Sequence, residues 1–552
     1  MSQKTKTNIF LYDTTLRDGM QGENIFFSPE DKVKIAKRLD DAGIHYIEGG
    51  WPGSNPGASH FFELAKKIKF QNAKLTAFGA TRRQGKTCKE DANILALINS
   101  NAPVITIFGK SWDLHVESIM ENSKNENLAM IKESVEYLLK HDREVIYDAE
   151  HFFDGYKANR EYALKTLEAA VAGGTNCLVL CDTNGGTLPC DIEIITKETI
   201  EHFTCDLQVR SDLQVGKDLH NKNKSELVFG IHTHNDGAMA VANSVMAVHA
   251  GATMVQGTIN GYGERCGNAD LTAVIPILAL KMNQDCISSK NLRKLVNLSR
   301  FISETANVPP VNSRPFVGKS AFAHKGGVHV SAIMKNPKAY EHISPDLIGN
   351  ERRVIVSEQS GKSNIEYKAK ELGIILGKKG LNEHQILKTI KELENYGYEF
   401  DAAEGSLKLI MEKLTDQYVP HFELESFRVV VEKDKERPCY SHAMIKIRVE
   451  DKTEITSAEG DGPVSALDNA LRKALATIFP QINDMHLVDF KVRVIDGMDG
   501  TQSKVRVLIE SRDENNIFST IGVSEDIIEA SWQALADSFQ YKLSLDSGKT
   551  DK

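Results

Sequence analysis

Short apolar runs alternate with longer amphipathic segments eight times between residues 8 and 285. Each apolar run has the length of a buried strand, and each amphipathic segment has the length of a helix. Such alternation predicts a parallel sheet, and eight units in about 250 residues match the size of one (β/α)₈ TIM barrel. The predicted strands cover residues 9–13, 46–50, 74–79, 104–109, 144–150, 177–182, 227–234 and 253–259.

The segment 28–43 shows the helix signals of these units. Ser28 suits an N-cap, Pro29 suits the first helical position, and Gly43 stops the helix. A doubly wound sheet is the alternative α/β fold. It is the weaker one, because nothing near the first strand resembles a GxGxxG dinucleotide-binding loop.

The chain is predicted to contain three regions. Residues 1–289 would form the barrel, 290–400 a charged helical linker region that contributes to the active site, and 401–552 a C-terminal α+β regulatory domain. An extra polar segment at 206–226, in which DLQV occurs twice, is interpreted as an exposed excursion without an assigned function.

The C-terminal region contains an internal match. GDGPVSALDNALRKALA and GVSEDIIEASWQALAD align so that Gly462 pairs with Gly522 and Ala470 pairs with Ala530. Two copies of a strand-glycine-helix unit predict a pseudo-twofold domain. Coincidence between two Ala/Leu-rich helices is the alternative.

Charge and composition restrict the class of partner. The formal net charge of −9 argues against binding to nucleic acid or to an anionic membrane. No stretch reaches the ~20 apolar residues needed to span a bilayer, and the N-terminus lacks the apolar core of a signal peptide. We therefore expect a cytoplasmic protein with reduced thiols, in which Cys177 and Cys181 have a packing role.

The reactive side chains follow the predicted strands at their C-terminal ends, the face on which barrel enzymes place their sites. They are Arg17 and Asp18 after strand 1, Glu150 on strand 5, Asp182 and Thr183 at strand 6, His232 and His234 on strand 7, and Asn268 after strand 8. His232 and His234 are two residues apart on one strand, so both imidazoles point the same way. With Asp18 they predict a divalent-metal site. The same three ligands would also suit the iron site of a non-haem oxygenase, which is the alternative.

Three segments, LYDTTLRDGMQ, HTHNDGAMAVANSVMAVHAGA and NGYGERCGNADL, resemble the signatures of the DRE-TIM metallolyase family. The resemblance is to its 2-isopropylmalate, homocitrate and citramalate synthase branch. It covers nearly the whole chain, because the later GGVHVSA segment and the twinned C-terminal region resemble that branch's linker and regulatory domain. The stretch EGGWPGSNP resembles the citramalate synthase group, since leucine-pathway relatives usually have Ala and Phe in place of Gly50 and Trp51.

The resemblance implies a divalent metal ion, Mg²⁺, Mn²⁺ or Zn²⁺, and acetyl-CoA as co-substrate. Asp18, His232 and His234 would hold the metal, with Asn268 near or in its shell. The metal would chelate and polarise a 2-oxo acid. Arg17 would stabilise the developing oxyanion, and Thr183 would bind the substrate carboxylate.

Removal of a proton from the acetyl methyl group requires a positioned base. The resemblance makes Glu150 and His329 the candidates. His329 would arrive from the linker, of the same subunit or of a partner subunit, together with Tyr340. His324, in the same segment, has either a supporting or a structural role. Asp13 is interpreted as a buried hydrogen-bonding residue, and His151 is left out because it should point away from Glu150.

The implied reaction is a Claisen-type condensation of acetyl-CoA with a 2-oxo acid, followed by thioester hydrolysis. The citramalate-group stretch implies pyruvate as acceptor and a place in isoleucine biosynthesis. The alternatives are 2-isopropylmalate synthesis from 2-oxoisovalerate and, in another class, a non-catalytic amino-acid sensor. The family pattern also implies a homodimer with isoleucine as the effector at the C-terminal domain. A lyase activity is disfavoured, because the lyases of this family resemble the barrel alone.

Overall fold

The computed structural model describes residues 7–205, 227–377, 381–433, 435, 438–495, 503–514 and 516–547. The segment 206–226 singled out in the sequence lies outside these residues. The chain divides into two compact units, which are described separately. The first comprises Met1–Phe322 and Ile343–Glu351, and the second comprises Ala323–His342 and Arg352–Lys552.

Eight parallel strands form a closed barrel in the first unit. They are β1 (Phe10–Asp13), β2 (Tyr46–Gly50), β3 (Lys74–Ala80), β4 (Val104–Lys110), β5 (Glu144–Glu150), β6 (Cys177–Asp182), β7 (Val228–Thr233) and β8 (Met254–Gly257). The strands pair in chain order, and β8 pairs with β1 to close the sheet. All eight predicted strands are confirmed with ends within two residues, and closure excludes the doubly wound alternative.

Helices follow the barrel strands as predicted. They span Pro29–Asp41, Pro56–Ala65, Ala92–Asn99, Lys124–Leu139, Phe152–Ala158, Arg160–Ala172, Pro189–Cys205, Ala240–His249 and Leu271–Pro276. The first of them begins as its sequence indicates, because the Ser28 side chain accepts a hydrogen bond from the Asp31 backbone N–H at 3.1 Å. None of the helices in the described ranges is both long and apolar enough to cross a membrane.

The barrel interior is packed with side chains in its lower part. Tyr12, Val104, Ile146 and the two cysteines of β6 form one buried cluster there. Burial raises the pKa of the Cys177 and Cys181 thiols well above their ordinary value. Both therefore act as small apolar side chains.

Residues after the barrel are mainly helical. In the first unit, helices Ser289–Leu292 and Leu295–Thr305 follow β8. In the second unit, the short strands β9 (Ala323–His324) and β10 (Arg353–Val354) pair in parallel. Helices Gly327–Lys335, Lys362–Leu372, Leu381–Tyr396 and Glu404–Leu414 belong to the same unit. The domain boundaries at 289 and 400 stay a prediction.

Single turns of 3₁₀ or π helix complete the described elements. They cover Gly19–Gln21, His115–Ile119, Ile259–Gly261, Ile277–Lys281, Pro337–Ala339, Pro345–Ile348, Phe400–Ala402 and Pro480–Asp484.

Two copies of a βββα unit form the C-terminal part of the chain. In the first, β11 (Glu423–Glu432), β12 (Tyr440–Val449) and β13 (Lys452–Gly460) make an antiparallel sheet followed by helix Pro463–Leu475. In the second, β14 (His486–Val494), β15 (Val505–Arg512) and β16 (Ile517–Ser524) are followed by helix Ile527–Ser547. The predicted duplicated α+β domain is confirmed.

The residue-by-residue alignment of the two copies differs from the predicted one. Thr456 Oγ1 donates to the Ala470 carbonyl at 2.8 Å, and Thr520 Oγ1 donates to the Ala534 carbonyl at 2.7 Å. Ala470 is therefore equivalent to Ala534, and its predicted pairing with Ala530 is wrong. The two alternatives lie about one helical turn apart, and an amphipathic Ala/Leu pattern nearly repeats after one turn. Helix periodicity alone therefore could not distinguish the two alignments.

Candidate metal centre

Asp18, His232 and His234 meet at the C-terminal end of the barrel. One ligand atom from each lies within 4.8 Å of the others, and all three residues are buried. His232 Nε2 is 3.2 Å from Asp18 Oδ2 and 3.3 Å from His234 Nε2. His234 Nε2 is 3.9 Å from the same carboxylate oxygen. The three side chains that the sequence groups as metal ligands thus lie together in the structure.

Hydrogen bonds in the turn after β1 place Asp18. Asp13 accepts from the Thr15 backbone N–H at 3.0 Å and from Thr15 Oγ1 at 2.8 Å. Thr14 Oγ1 in turn lies 3.4 Å from the Asp18 backbone N–H. Burial raises the pKa of Asp13 to about 7, although the Thr15 hydrogen bonds oppose this. Asp13 thus shapes the turn and does not join the three-residue cluster.

The protonation states of Asp18 and His234 suit ligation of a cation. Burial alone would raise the pKa of Asp18, but Arg17 and the two imidazoles hold that pKa well below its ordinary value. Burial and the neighbouring His232 lower the pKa of His234 to about 4. At neutral pH the cluster therefore offers an ionised carboxylate and a neutral imidazole with an available lone pair.

The donor set fits a divalent metal ion. Asp18 Oδ1 is buried and has no hydrogen-bond partner among the residues that the structure describes. A buried acceptor left unpaired costs about 1–3 kcal/mol, which a bound cation would offset. One carboxylate and two imidazoles are ordinary ligands of Zn²⁺ and of other first-row divalent ions.

Asn268 contacts the cluster through its amide nitrogen. Nδ2 donates to Asp18 Oδ2 at 2.9 Å and lies 3.2 Å from His232 Nε2. Its Oδ1 is buried near Gly263, where an added Cβ would lie 1.7 Å from it. In this orientation Asn268 orients the carboxylate, and ligation through Oδ1 would require rotation of the amide.

Arg17 is fixed beside Asp18 by a carboxylate that sequence reasoning missed. Its Nε donates to Glu48 Oε1 at 2.5 Å, while its Nη1 lies 3.6 Å from Asp18 Oδ2. Glu48 is fully buried in β2 and also accepts from Tyr12 and Thr14. A charged residue inside a buried strand was the available signal, because such residues need a partner.

Three aromatic rings form a wall next to Arg17, here termed the aromatic wall: Trp51, Phe78 and Phe108. The Arg17 Cζ lies 3.7 Å from the centroid of the Phe78 ring. Phe78 stacks on Phe108 with centroids 5.4 Å apart, and Trp51 meets both rings edge-on. Trp51 Nε1 donates to Asn93 Oδ1 at 2.7 Å, which fixes the indole.

Glu150 and Thr183 lie at the ends of β5 and β6. Glu150 is half-buried and forms an ion pair with Lys110, at the end of β4. The hydroxyl of Thr183 accepts from the His151 backbone N–H at 2.9 Å, so its own proton can be donated elsewhere. Sequence reasoning missed Lys110 because only the barrel register places it opposite Glu150.

His151 contributes through its backbone. It adopts a left-handed conformation with φ of 56°, which is uncommon for a non-glycine residue and often occurs at functional sites. This conformation turns its N–H toward Thr183, while its ring packs on His115 with centroids 4.3 Å apart. The backbone contact with Thr183 was not foreseen, because strand alternation describes only where a side chain points.

His329 and Tyr340 belong to the second unit. Their rings stack with centroids 4.2 Å apart, and both side chains are exposed. His324 is buried, and its Nε2 lies 3.3 Å from Glu341 Oε1. Arg352 Nη2 also donates to Glu341, at 2.7 Å. His324 and Arg352 thus share one carboxylate partner, which gives His324 a structural role in this segment.

Three family models match the chain in succession. A model described as HMGL-like matches residues 8–302, and one described as the homocitrate synthase post-HMGL domain-like region matches residues 316–397. A model of the LeuA allosteric (dimerisation) domain matches residues 401–543.

Relatives align with almost the whole chain. The (R)-citramalate synthase of Aquifex aeolicus is 52% identical over 98% of this chain and 98% of its own length. The (R)-citramalate synthase of Geobacter sulfurreducens is 51% identical over 97% of each chain. A probable 2-isopropylmalate synthase of Methanopyrus kandleri is 31% identical over 95% of this chain and 96% of its own.

Proposed function

Because the chain belongs to the HMGL-like family, within its (R)-citramalate synthase group, we infer that it converts acetyl-CoA, pyruvate and water to (R)-citramalate and CoA. It is an acyltransferase. One observation carries the choice of acceptor: five (R)-citramalate synthases are 43 to 52% identical to it over nearly their full length. The 2-isopropylmalate synthase reported above is 31% identical.

The metal-binding role of Asp18, His232 and His234 is part of this proposal. A divalent ion held there, Mg²⁺, Mn²⁺ or Zn²⁺, would supply Lewis-acid polarisation of the pyruvate keto group. Arg17, fixed by Glu48, points its guanidinium toward the same carboxylate and would stabilise the oxyanion that forms during addition. Asn268 would maintain the orientation of Asp18 or add a ligand to the metal.

Thr183 and Glu150 are assigned to the two substrates. The Thr183 hydroxyl, held by the His151 N–H, would donate to the pyruvate carboxylate. Glu150 would take the acetyl methyl proton, so that the methyl carbon can bond to C2 of pyruvate, or activate the water that cleaves the thioester. Its ion pair with Lys110 orients the carboxylate for either task.

We assign His329 and Tyr340 to the site of a second copy of the chain. Both residues are exposed and stacked on each other, an arrangement suited to insertion into another surface. The LeuA dimerisation domain supports a homodimer. His329 would serve as the second base or proton donor, and Tyr340 would orient its imidazole through the stacked rings.

The remaining assignments follow from the reaction. Citramalate is a precursor for isoleucine, so isoleucine is the expected effector at the C-terminal domain and the cytoplasm is the expected location. The test of the function is incubation of the purified metal-loaded protein with acetyl-CoA and pyruvate, followed by thiol titration and chiral separation of the product. We expect one thiol per (R)-citramalate, and failure to form citramalate would refute the proposal.

The aromatic wall predicts how the acceptor is selected. Truncating it by Trp51→Ala should raise kcat/KM for 2-oxoisovalerate relative to pyruvate by about tenfold or more, because one methylene of added space is worth about 10–200-fold in selectivity. Trp532→Ala is the control, since that indole contacts Phe427 in the C-terminal part of the chain and lies outside the aromatic wall. An equal change in selectivity in both variants would show that the wall does not select the acceptor.

A further inference from the structure

The imidazole of His232 must use its two nitrogens differently. Nε2 faces Asp18 and His234, whereas Nδ1 lies 2.8 Å from Gln256 Oε1. An imidazole ligates through an unprotonated nitrogen, so Nδ1 must carry the proton if Nε2 is to bind a metal ion. The hydrogen bond to Gln256 favours that tautomer, provided that the Gln256 amide presents its oxygen.

An amide can present either of its ends, and Gln256 alone does not determine which one meets His232. Gln256 is fully buried on β8. Its Nε2 donates to Asp148 Oδ1 at 3.0 Å, and Asp148 lies on β5 with 3% of its surface exposed. Because β5 and β8 are not adjacent in the barrel, this contact crosses the interior.

In its ionised form, the carboxylate of Asp148 removes the ambiguity. An ionised carboxylate only accepts hydrogen bonds, so the Gln256 atom that faces it must be the NH₂ group. The amide oxygen must then face His232 Nδ1, which must donate. Burial raises the pKa of Asp148 to about 7, although His232 and Arg17 oppose this. A cation at the metal site would favour the ionised carboxylate.

We propose that Asp148 is a positioning residue for the metal centre: it orients the Gln256 amide, and the amide fixes the His232 tautomer that ligates the metal. Asp148 contributes no atom to the three-residue cluster. The inference rests on the proposed metal role of His232. It predicts that changes at Asp148 alter metal affinity even though no metal ligand has been replaced.

The experiment measures Co²⁺ affinity of the full-length protein by competition with a chromophoric chelator, together with the visible absorption of the bound ion. Asp148→Leu should weaken Co²⁺ binding by about tenfold, the lower end of the usual effect of losing a hydrogen-bond partner of a ligand, because Asp148 acts on His232 through Gln256. Asp148→Asn should have a smaller effect, because an amide at 148 permits both orientations of Gln256. If the wild-type protein binds no Co²⁺, the metal proposal itself fails.

Exchanging the carboxylate and the amide between positions 148 and 256 distinguishes a positioning role of Asp148 from a general contribution to stability. In Asp148→Asn combined with Gln256→Glu, residue 148 donates, residue 256 accepts, and the atom facing His232 is again an oxygen. This pair should recover Co²⁺ affinity to within about threefold of wild type, which is the non-additive behaviour expected of residues in one network. A purely structural role does not predict recovery by exchanging the two functional groups.

Asp91→Asn is the matched control, because Asp91 is also a fully buried carboxyl of the barrel unit but caps helix Ala92–Asn99 and does not bond to Gln256. It should leave Co²⁺ affinity unchanged, whatever its effect on thermal unfolding. Wild-type affinity in folded Asp148→Leu would overturn the proposal. The proposal would also be overturned if the loss of Co²⁺ affinity in the Asp148→Asn, Gln256→Glu double variant equalled the sum of the losses in the two single variants.

Discussion

Asp18→Ala is expected to lower kcat for thiol release from acetyl-CoA by about 10³-fold or more, since Lewis-acid catalysis is worth several kcal/mol and each 1.36 kcal/mol is tenfold. The substitution removes the only carboxylate in the cluster and leaves His232 and His234 without the charge that attracts a cation. It also removes the acceptor for Asn268 Nδ2. The measurement is a steady-state thiol assay at saturating metal and pyruvate.

Asp91→Ala is the matched control for this prediction. Asp91 is a buried aspartate of the same barrel, but it caps helix Ala92–Asn99 by accepting from the Asn93 and Ile94 backbone N–H groups. Its loss should cost about 0.5–2 kcal/mol of stability and leave kcat of the folded enzyme near wild type. Unchanged thiol release in Asp18→Ala would instead favour the non-catalytic sensor, with the barrel as a scaffold.

Two inactive variants are expected to restore activity when they are combined in one dimer. Asp18→Ala breaks the barrel site of its own subunit, and His329→Ala should cost about 10²–10⁴-fold as the loss of a general base or acid. If His329 acts in the other subunit, a mixed dimer contains one site with both defects and one intact site. Mixed dimers isolated through two different affinity tags should therefore show about half of wild-type activity.

The control is a mixed dimer of Asp18→Ala with His234→Ala. Both substitutions affect the barrel cluster, so each site in that dimer carries one defect and no recovery is expected. An inactive Asp18→Ala, His329→Ala mixed dimer would place His329 in the site of its own subunit. That result would require revision of the partner assignment, but not of the reaction.

The barrel and the convergence of the three-residue cluster were predictable because their signals are local. An apolar run predicts a strand, and the residues at the C-terminal end of that strand come directly after the run in the sequence. Parallel strands bring those ends together at one face of the barrel. Asp18, after the first strand, and His232, on the seventh, could therefore be assigned to one site. The common direction of His232 and His234 followed from the alternation of side chains along a strand.

The partners that orient these residues were not predictable in the same way. Glu48 holds Arg17 from a neighbouring strand, and Lys110 meets Glu150 only through the strand register. The contact of Gln256 with Asp148 crosses the barrel interior, so no sequence spacing encodes it. The orientation of the Asn268 amide likewise depends on neighbours that lie far away in the chain.

The C-terminal duplication shows the limit of periodic patterns. The existence of two copies was visible, because both helices repeat the same Ala/Leu face. Their register was not, since a shift of one helical turn leaves such a face nearly unchanged. The equivalent hydrogen bonds from Thr456 to Ala470 and from Thr520 to Ala534 identify which residues correspond.

The assignment of pyruvate as the acceptor is tested most directly by comparing kcat/KM for thiol release with pyruvate and with 2-oxoisovalerate on the same purified enzyme. We expect a preference for pyruvate of about tenfold or more, because 2-oxoisovalerate adds two methyl groups against the aromatic wall. Equal values, or a preference for 2-oxoisovalerate, would contradict the assignment of pyruvate and favour 2-isopropylmalate synthesis.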